Sequence, residues 1–168
     1  KTIGFALVAV LAAVAVAQTT SGNLLAAFGK TLNDAKTASS TFTSQQIGAG
    51  ADEYSIALKK PNLARVESPS QLVVADGKTV TTLSKADNTY FKRPQAEGDA
   101  YALVATDEFG LFAGFFKADA YNSGRAKSLG KRQVNGSPMQ VVEASAPHRV
   151  DTYFIADDKV ARKRQTDL

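Results

Sequence analysis

Leu24, Leu25, Phe28, Leu32 and Ala35 recur at spacings of three and four, the period of an amphipathic helix. Thr19-Thr20-Ser21-Gly22-Asn23 ahead of them offers N-cap residues, so the spacing predicts one helix over residues 23–38. After Ser39-Ser40-Thr41 the pattern shortens to a period of two. Tyr54, Ile56 and Leu58 alternate with Ser55, Ala57 and Lys59, which is how a half-buried strand is written. Pro61-Asn62 and Ser68-Pro69 then separate strands at 63–67 and 72–75. Asp76-Gly77 accepts the backbone of a tight hairpin turn, with a fourth strand at 79–83 pairing back across it and a fifth at 90–93 stopped by Pro94. Short turns without helical crossovers make this an antiparallel meander.

Residues 95–108 are polar apart from Tyr101–Val104 and read as a connection. The run that follows places Phe109, Phe112, Phe115 and Phe116 within eight residues. In an α-helix Phe109, Phe112 and Phe116 share one face, with Leu111 and Phe115 beside it. Gly110 and Gly114 each lower helix propensity by about 1 kcal/mol relative to alanine, so this helix is mobile or is held by packing. Strands return at 133–135, 139–143, 150–155 and 159–164. The expected fold is mainly β (α+β): a curved antiparallel sheet of about nine strands with two helices. Two helices leave the concave face incompletely covered, and an apolar hollow of that kind suits apolar ligands.

The ends of the chain add a compartment. Ile3 to Val16 is almost wholly apolar, follows Lys1, and ends in Ala15-Val16-Ala17, the small-x-small pattern of a signal-peptide cleavage site. The run is short of the roughly 20 residues that a membrane-spanning helix needs. Residues 1–17 are therefore expected to be a signal peptide and residues 18–168 a single exported domain. The absence of cysteine excludes disulfides and thiolate chemistry. The chain begins at Lys1 and stops soon after a strand, so the expectation is a fragment lacking its C-terminal strands.

Charge is uneven. Residues 18–116 hold 9 basic and 10 acidic side chains, whereas residues 117–168 hold 10 basic and 6 acidic. Arg125, Lys127, Lys131 and Arg132 form one cluster and Arg162, Lys163 and Arg164 another. These are either solvated faces or a docking surface for an acidic partner or anionic headgroups. Nucleic acid is not an expected partner of an exported chain without a binding motif.

No constellation supports catalysis, and no cofactor is expected. His148 has no histidine partner and no metal-ligand spacing around it. Asp52-Glu53, Asp107-Glu108 and Asp157-Asp158 are adjacent in sequence, so in extended segments they point to opposite faces, unlike an acid–base pair. Gly-x-Ser-x-Gly is missing, and Gly48-Ala49-Gly50 lacks the lysine of a phosphate loop.

Lys59-Lys60-Pro61-Asn62-Leu63, followed by Leu72-Val73-Val74-Ala75-Asp76-Gly77-Lys78-Thr79, resembles the central signature of the periplasmic outer-membrane lipoprotein carriers. In that family a strand ending in Lys-Arg-Pro leads to a second strand, and a third ends in a Ser-Asp-Gly-Lys-Thr hairpin. The amphipathic first helix, the start of the sheet at Thr41-Phe42-Thr43 and the later helix followed by strands agree in order. The resemblance covers residues 24–94. It implies an incomplete, half-open β-barrel with helices closing its concave face as a lid, and acyl chains held in the hollow. Two departures stand out. The family's arginine beside the proline, which hydrogen-bonds to the lid, aligns with Lys60, and lysine lacks the planar multi-donor fork. The large aromatics of the carriers' second and fourth strands align with Ala64, Val66 and Thr81.

If Lys60 projects into the hollow, the period of two puts Ile56, Leu58, Ala64 and Val66 on the same face, with Leu72 and Val74 as the matching pair on the next strand. Together with Phe109, Phe112 and Phe116 these are the candidate ligand-binding residues. Taken without the resemblance, they read equally as ordinary core residues packed under the helices. The expected function is a monomeric periplasmic carrier that shields acyl chains of lipoproteins or other lipids and meets membrane-bound donor and acceptor proteins. A periplasmic sensor or regulatory domain of the same fold, binding lipid or a signalling protein, is the alternative.

Overall fold

The computed structural model describes residues 23–121 and 125–167. The expected signal peptide, residues 1–17, lies outside them. The chain divides into two compact units, one of residues Leu32–Ala118 and one that joins Lys1–Thr31 to Asp119–Leu168. The helix α1, residues 23–34, runs across that division. It buries Leu25, Phe28 and Leu32, the stripe that the spacing of three and four predicts, and ends four residues earlier than expected, where β1 begins.

The unit of residues 32–118 is built on a six-stranded antiparallel meander: β1 (Thr37–Gln45), β2 (Ala51–Lys59), β3 (Leu63–Glu67), β4 (Gln71–Ala75), β5 (Thr79–Ser84) and β6 (Thr89–Pro94). Five of these strands fall where the alternation and the turn residues place them. The β4–β5 hairpin turns at Asp76-Gly77. Gly77 sits at φ 92°, a backbone that side-chain-bearing residues rarely adopt. The Asp76 carboxylate accepts the amides of Lys78 at 2.8 Å and Thr79 at 2.7 Å, and these bonds hold its pKa below the usual carboxylate range. Between β6 and the end of the unit lie α2 (Asp99–Val104) and a 3₁₀ helix (Gly110–Phe115).

The second unit carries a four-stranded antiparallel sheet in the order β10-β9-β8-β7, from β7 (Ala126–Val134), β8 (Ser137–Ala146), β9 (Arg149–Ile155) and β10 (Ala161–Asp167). Phe28 of α1 stacks on Tyr121 at 4.8 Å between ring centroids, and Tyr121 meets Tyr153 of β9 edge-on at 5.9 Å. Tyr153 and Ile155, two apart on β9 and so on one face, are both buried.

The architecture is thus mainly β and antiparallel throughout, with helical segments and no closed barrel among the described residues. The strands number ten, in sheets of six and four, where the sequence pattern points to about nine in one sheet. The extra strand is β1, a run of serine and threonine whose alternation is carried by Phe42 alone among large side chains.

Candidate functional site

Register decides which residues of the six-stranded sheet share a face, because residues directly opposite in an antiparallel pair point the same way. Ser40 lies opposite Ile56, Ile56 opposite Val66, and Val66 opposite Val73. One step along, Ala38, Leu58, Ala64, Ala75 and Val80 form the neighbouring row. Ile56, Leu58, Ala64, Val66, Val73, Ala75 and Val80 are all buried. They form one continuous apolar face, and four of them are the β2 and β3 residues expected there.

Leu72 and Val74 require correction. Ala64 pairs with Ala75 and Val66 with Val73, so the inward pair on β4 is Val73 and Ala75, while Leu72 and Val74 stand half-buried on the opposite face. The turn at Ser68–Ser70 sets the β4 register, and a shift of one residue moves every side chain to the other side of a sheet. Composition alone does not reveal that parity, because Leu72, Val73, Val74 and Ala75 are all apolar.

The cover over this face comes from residues 99–116. α2 packs against β3 and against the 3₁₀ helix, burying Ala100 and Val104. Phe109 meets Phe42 and Tyr54 edge-on at 5.8 and 5.7 Å, Phe112 lies 5.6 Å from Phe42, and Phe42 stacks on its cross-strand partner Tyr54 at 5.7 Å. Burial, with Asp52 and Glu108 adding to it, pushes the Tyr54 phenol above its ordinary pKa. The segment is a 3₁₀ helix, in which residues three apart stack in line. The inward row is therefore Phe109, Phe112 and Phe115, where α-helical spacing puts Phe116. Phe115 is wholly buried, and Phe116 is half-buried against its ring at 4.9 Å. Gly110 and Gly114 weaken the α-helical propensity of the segment, the sequence signal against a regular α-helix here.

Lys60, at the end of β2, ties the cover down. Its ammonium donates to the backbone carbonyl of Asn33 in the last turn of α1 and sits 5.5 Å from the centroid of the Phe115 ring. The Asn33 side-chain amide donates in turn to the Phe115 carbonyl at 3.2 Å. One cation thus joins the helix C-terminus, where carbonyls lack partners and positive charge is favoured, to the innermost phenylalanine of the cover. Asn33, Phe42, Tyr54, Phe115, Val73 and Ala75 complete the arrangement and were not among the residues expected from sequence.

A shallow depression of about 320 Å³ on β1–β3 is bordered by Ser39, Thr41, Ser55, Ala57 and Arg65 of the outer face together with Ser40 and Ile56. Its lining is polar and open, unlike the buried inner face. Among the described residues no group of three histidine, cysteine, aspartate or glutamate side chains could hold a metal ion, and no helix is long and apolar enough to cross a membrane.

The antiparallel β architecture and the apolar, helix-covered sheet face define the class of fold in which the chain stands. No protein-family profile matches the chain, and no curated protein is significantly similar to it. Among solved structures it is similar to a DUF1329 family protein from Desulfovibrio piger, with 9% sequence identity and a TM-score of 0.40 over 84% of this chain and 69% of the other.

Proposed function

We propose that this chain is an exported lipid-binding carrier that shields acyl chains of lipoproteins or other lipids on the inner face of its six-stranded sheet. The observation that carries the reading is the manner in which that face is closed: a six-residue 3₁₀ helix holding two glycines, pinned at one end by Lys60 and Asn33 and elsewhere by ring contacts. Lifting Phe109, Phe112 and Phe115 exposes three rings at about 1.5–3 kcal/mol each, and an acyl chain that buries about ten methylenes in their place recovers about 8 kcal/mol. The two are near balance, which is what loading and unloading require. The protein acts in this reading as a monomer in the periplasm, between membrane-bound donor and acceptor proteins, by binding alone and without a cofactor or covalent chemistry. The signal-peptide pattern of residues 1–17 and the resemblance of residues 24–94 to the lipoprotein carriers support that placement.

Native mass spectrometry and lipid extraction of the protein purified from a bacterial periplasm test the proposal. A bound acyl lipid at one per chain is expected. A chain that carries no lipid and binds no fluorescent acyl probe contradicts it.

A further inference from the structure

A strand at the rim of a sheet offers backbone N–H and C=O groups to strands of other chains unless charge, proline or a bulge blocks it. Among the described residues the two sheets have the edge strands β1, β6, β7 and β10. β6 is blocked by Lys92, Arg93 and Pro94. β7 carries Lys127, Lys131 and Arg132, with a bulge between Ser128 and Gly130. β10 carries Arg162, Lys163 and Arg164, with a bulge between Ala161 and Lys163. β1 has none of these devices. From Thr37 to Gln45 it holds no charge, no proline and no glycine, and its register against β2 runs without a break.

The hydrogen-bond pattern shows which of its groups are open. The Lys60 amide donates to the Lys36 carbonyl at 3.0 Å, and this pair continues the β1–β2 register. Bonded pairs alternate along an antiparallel ladder, so Ala38, Ser40, Phe42 and Ser44 bond to β2. Thr37, Ser39, Thr41, Thr43 and Gln45 then turn their amides and carbonyls to the open side. All five are exposed, β1 lies along no strand but β2, and no other backbone bonds to them among the described residues. The Ser40 hydroxyl alone reaches the Thr41 carbonyl, at 3.4 Å.

Opposite charges mark the two ends of this neutral edge. Lys36 and Lys59 are exposed at its start with Asp34 beside them, and Lys60 there is turned to Asn33 and Phe115. Asp52 and Glu53 are exposed at its finish, opposite Ser44 and Thr43. We propose that β1 pairs antiparallel with β1 of a second copy of this chain, about a two-fold axis at Thr41, the centre of the strand. Thr41 then bonds to Thr41 of the second copy, Ser39 to its Thr43 and Thr37 to its Gln45, so every outward amide and carbonyl finds a partner. Antiparallel pairing brings the basic end of one copy to the acidic end of the other, whereas parallel pairing brings like ends together. The second copy meets that charge pattern by symmetry alone. One pair of nine-residue strands stands at the small end of specific interfaces, so the pair exchanges with the single chain, the form that the carrier reading uses. The inference does not depend on that reading.

Sedimentation velocity of the full chain over a range of concentrations tests it. The expected result is a reversible equilibrium between one chain and two, weakened at least about tenfold in Ser39→Lys/Thr43→Lys, which sets ammonium groups opposite one another across the pair. The chain has no cysteine, so introduced cysteines report the register. Residues facing each other in a hydrogen-bonded antiparallel pair have Cα atoms about 5.5 Å apart, within disulfide reach. Thr41→Cys is therefore expected to cross-link two copies under mild oxidation, and Thr37→Cys, whose counterpart lies at the far end of the pair, is not. A chain that stays single at every concentration overturns the proposal and leaves the edge to a strand of another protein. Unchanged association of the lysine variant, or equal cross-linking by Thr37→Cys and Thr41→Cys, overturns it as well. So does cross-linking through Tyr90→Cys on β6 in place of Thr41→Cys, which assigns pairing to the other edge. Should the lysine variant fail to fold by circular dichroism, the cysteine variants still decide. An acyl-probe titration run in parallel separates the two proposals: probe binding without pairing contradicts this inference alone, and pairing without probe binding contradicts the carrier alone.

Discussion

Lys60 links three parts of one unit through a single ammonium: the last turn of α1, the end of β2 and the ring of Phe115. A methionine keeps the length and apolar stem of that side chain and removes both interactions. One hydrogen bond to a charged donor, about 1.5–3 kcal/mol, and one cation–π contact, about 0.5–1 kcal/mol, are lost. Lys60→Met is thus expected to lower the stability measured by urea unfolding by about 2–4 kcal/mol and to speed association of an acyl probe, because the cover is released. A variant with unchanged stability and unchanged association rate contradicts the latch. Tyr153 offers a test in the other unit. Burial, with the Asp151 carboxylate nearby, pushes its phenol up to about 12 from an ordinary 10. The folded state therefore holds a proton that the unfolded chain releases, and stability falls as pH rises from 10 toward 12. Tyr153→Phe removes that contribution to the slope, which thermal melts across this range check directly. The resemblance sets Lys60 at the place of the carriers' lid-bonding arginine, whereas its partner Asn33 looks like any polar residue near a helix end and nothing in the sequence marks Tyr153.

At the scale of elements, what was legible followed from turn chemistry. Pro61-Asn62, Ser68-Pro69 and Asp76-Gly77 punctuate the meander, and β2 to β6 lie where those residues leave room for strands. What was not legible was parity and helix type. A strand of four apolar residues looks the same in either register, so the inward pair of β4 emerged only from its pairing with β3. The phenylalanine-rich segment reads as α-helix by spacing, yet it forms a 3₁₀ helix, and the inward row changes from Phe116 to Phe115. Short 3₁₀ helices are poorly hydrogen-bonded and open at lower free energy than central strands. Hydrogen exchange followed by mass spectrometry is expected to show amides 110–116 exchanging faster than those of β3 to β5, and slowing in Lys60-containing protein relative to Lys60→Met. Protection of the cover equal to that of β4 contradicts an opening segment.

For the whole molecule, the two sheets differ in the faces they carry. The six-stranded sheet buries an apolar face beneath a cover held by few polar contacts, while the four-stranded sheet carries cations on both its edge strands. In the proposed reading, export directed by residues 1–17 would supply the aqueous compartment in which an acyl chain needs shielding. The central claim is that the acyl chain occupies the inner face of the six-stranded sheet. Photolabelling with a diazirine-bearing fatty acid, followed by mapping of the modified residues, tests it most directly. Labels on Ile56, Leu58, Val66, Val73 or Val80 are the predicted result; labels confined to Leu72 and Val74 on the opposite face, or to the four-stranded sheet, contradict it.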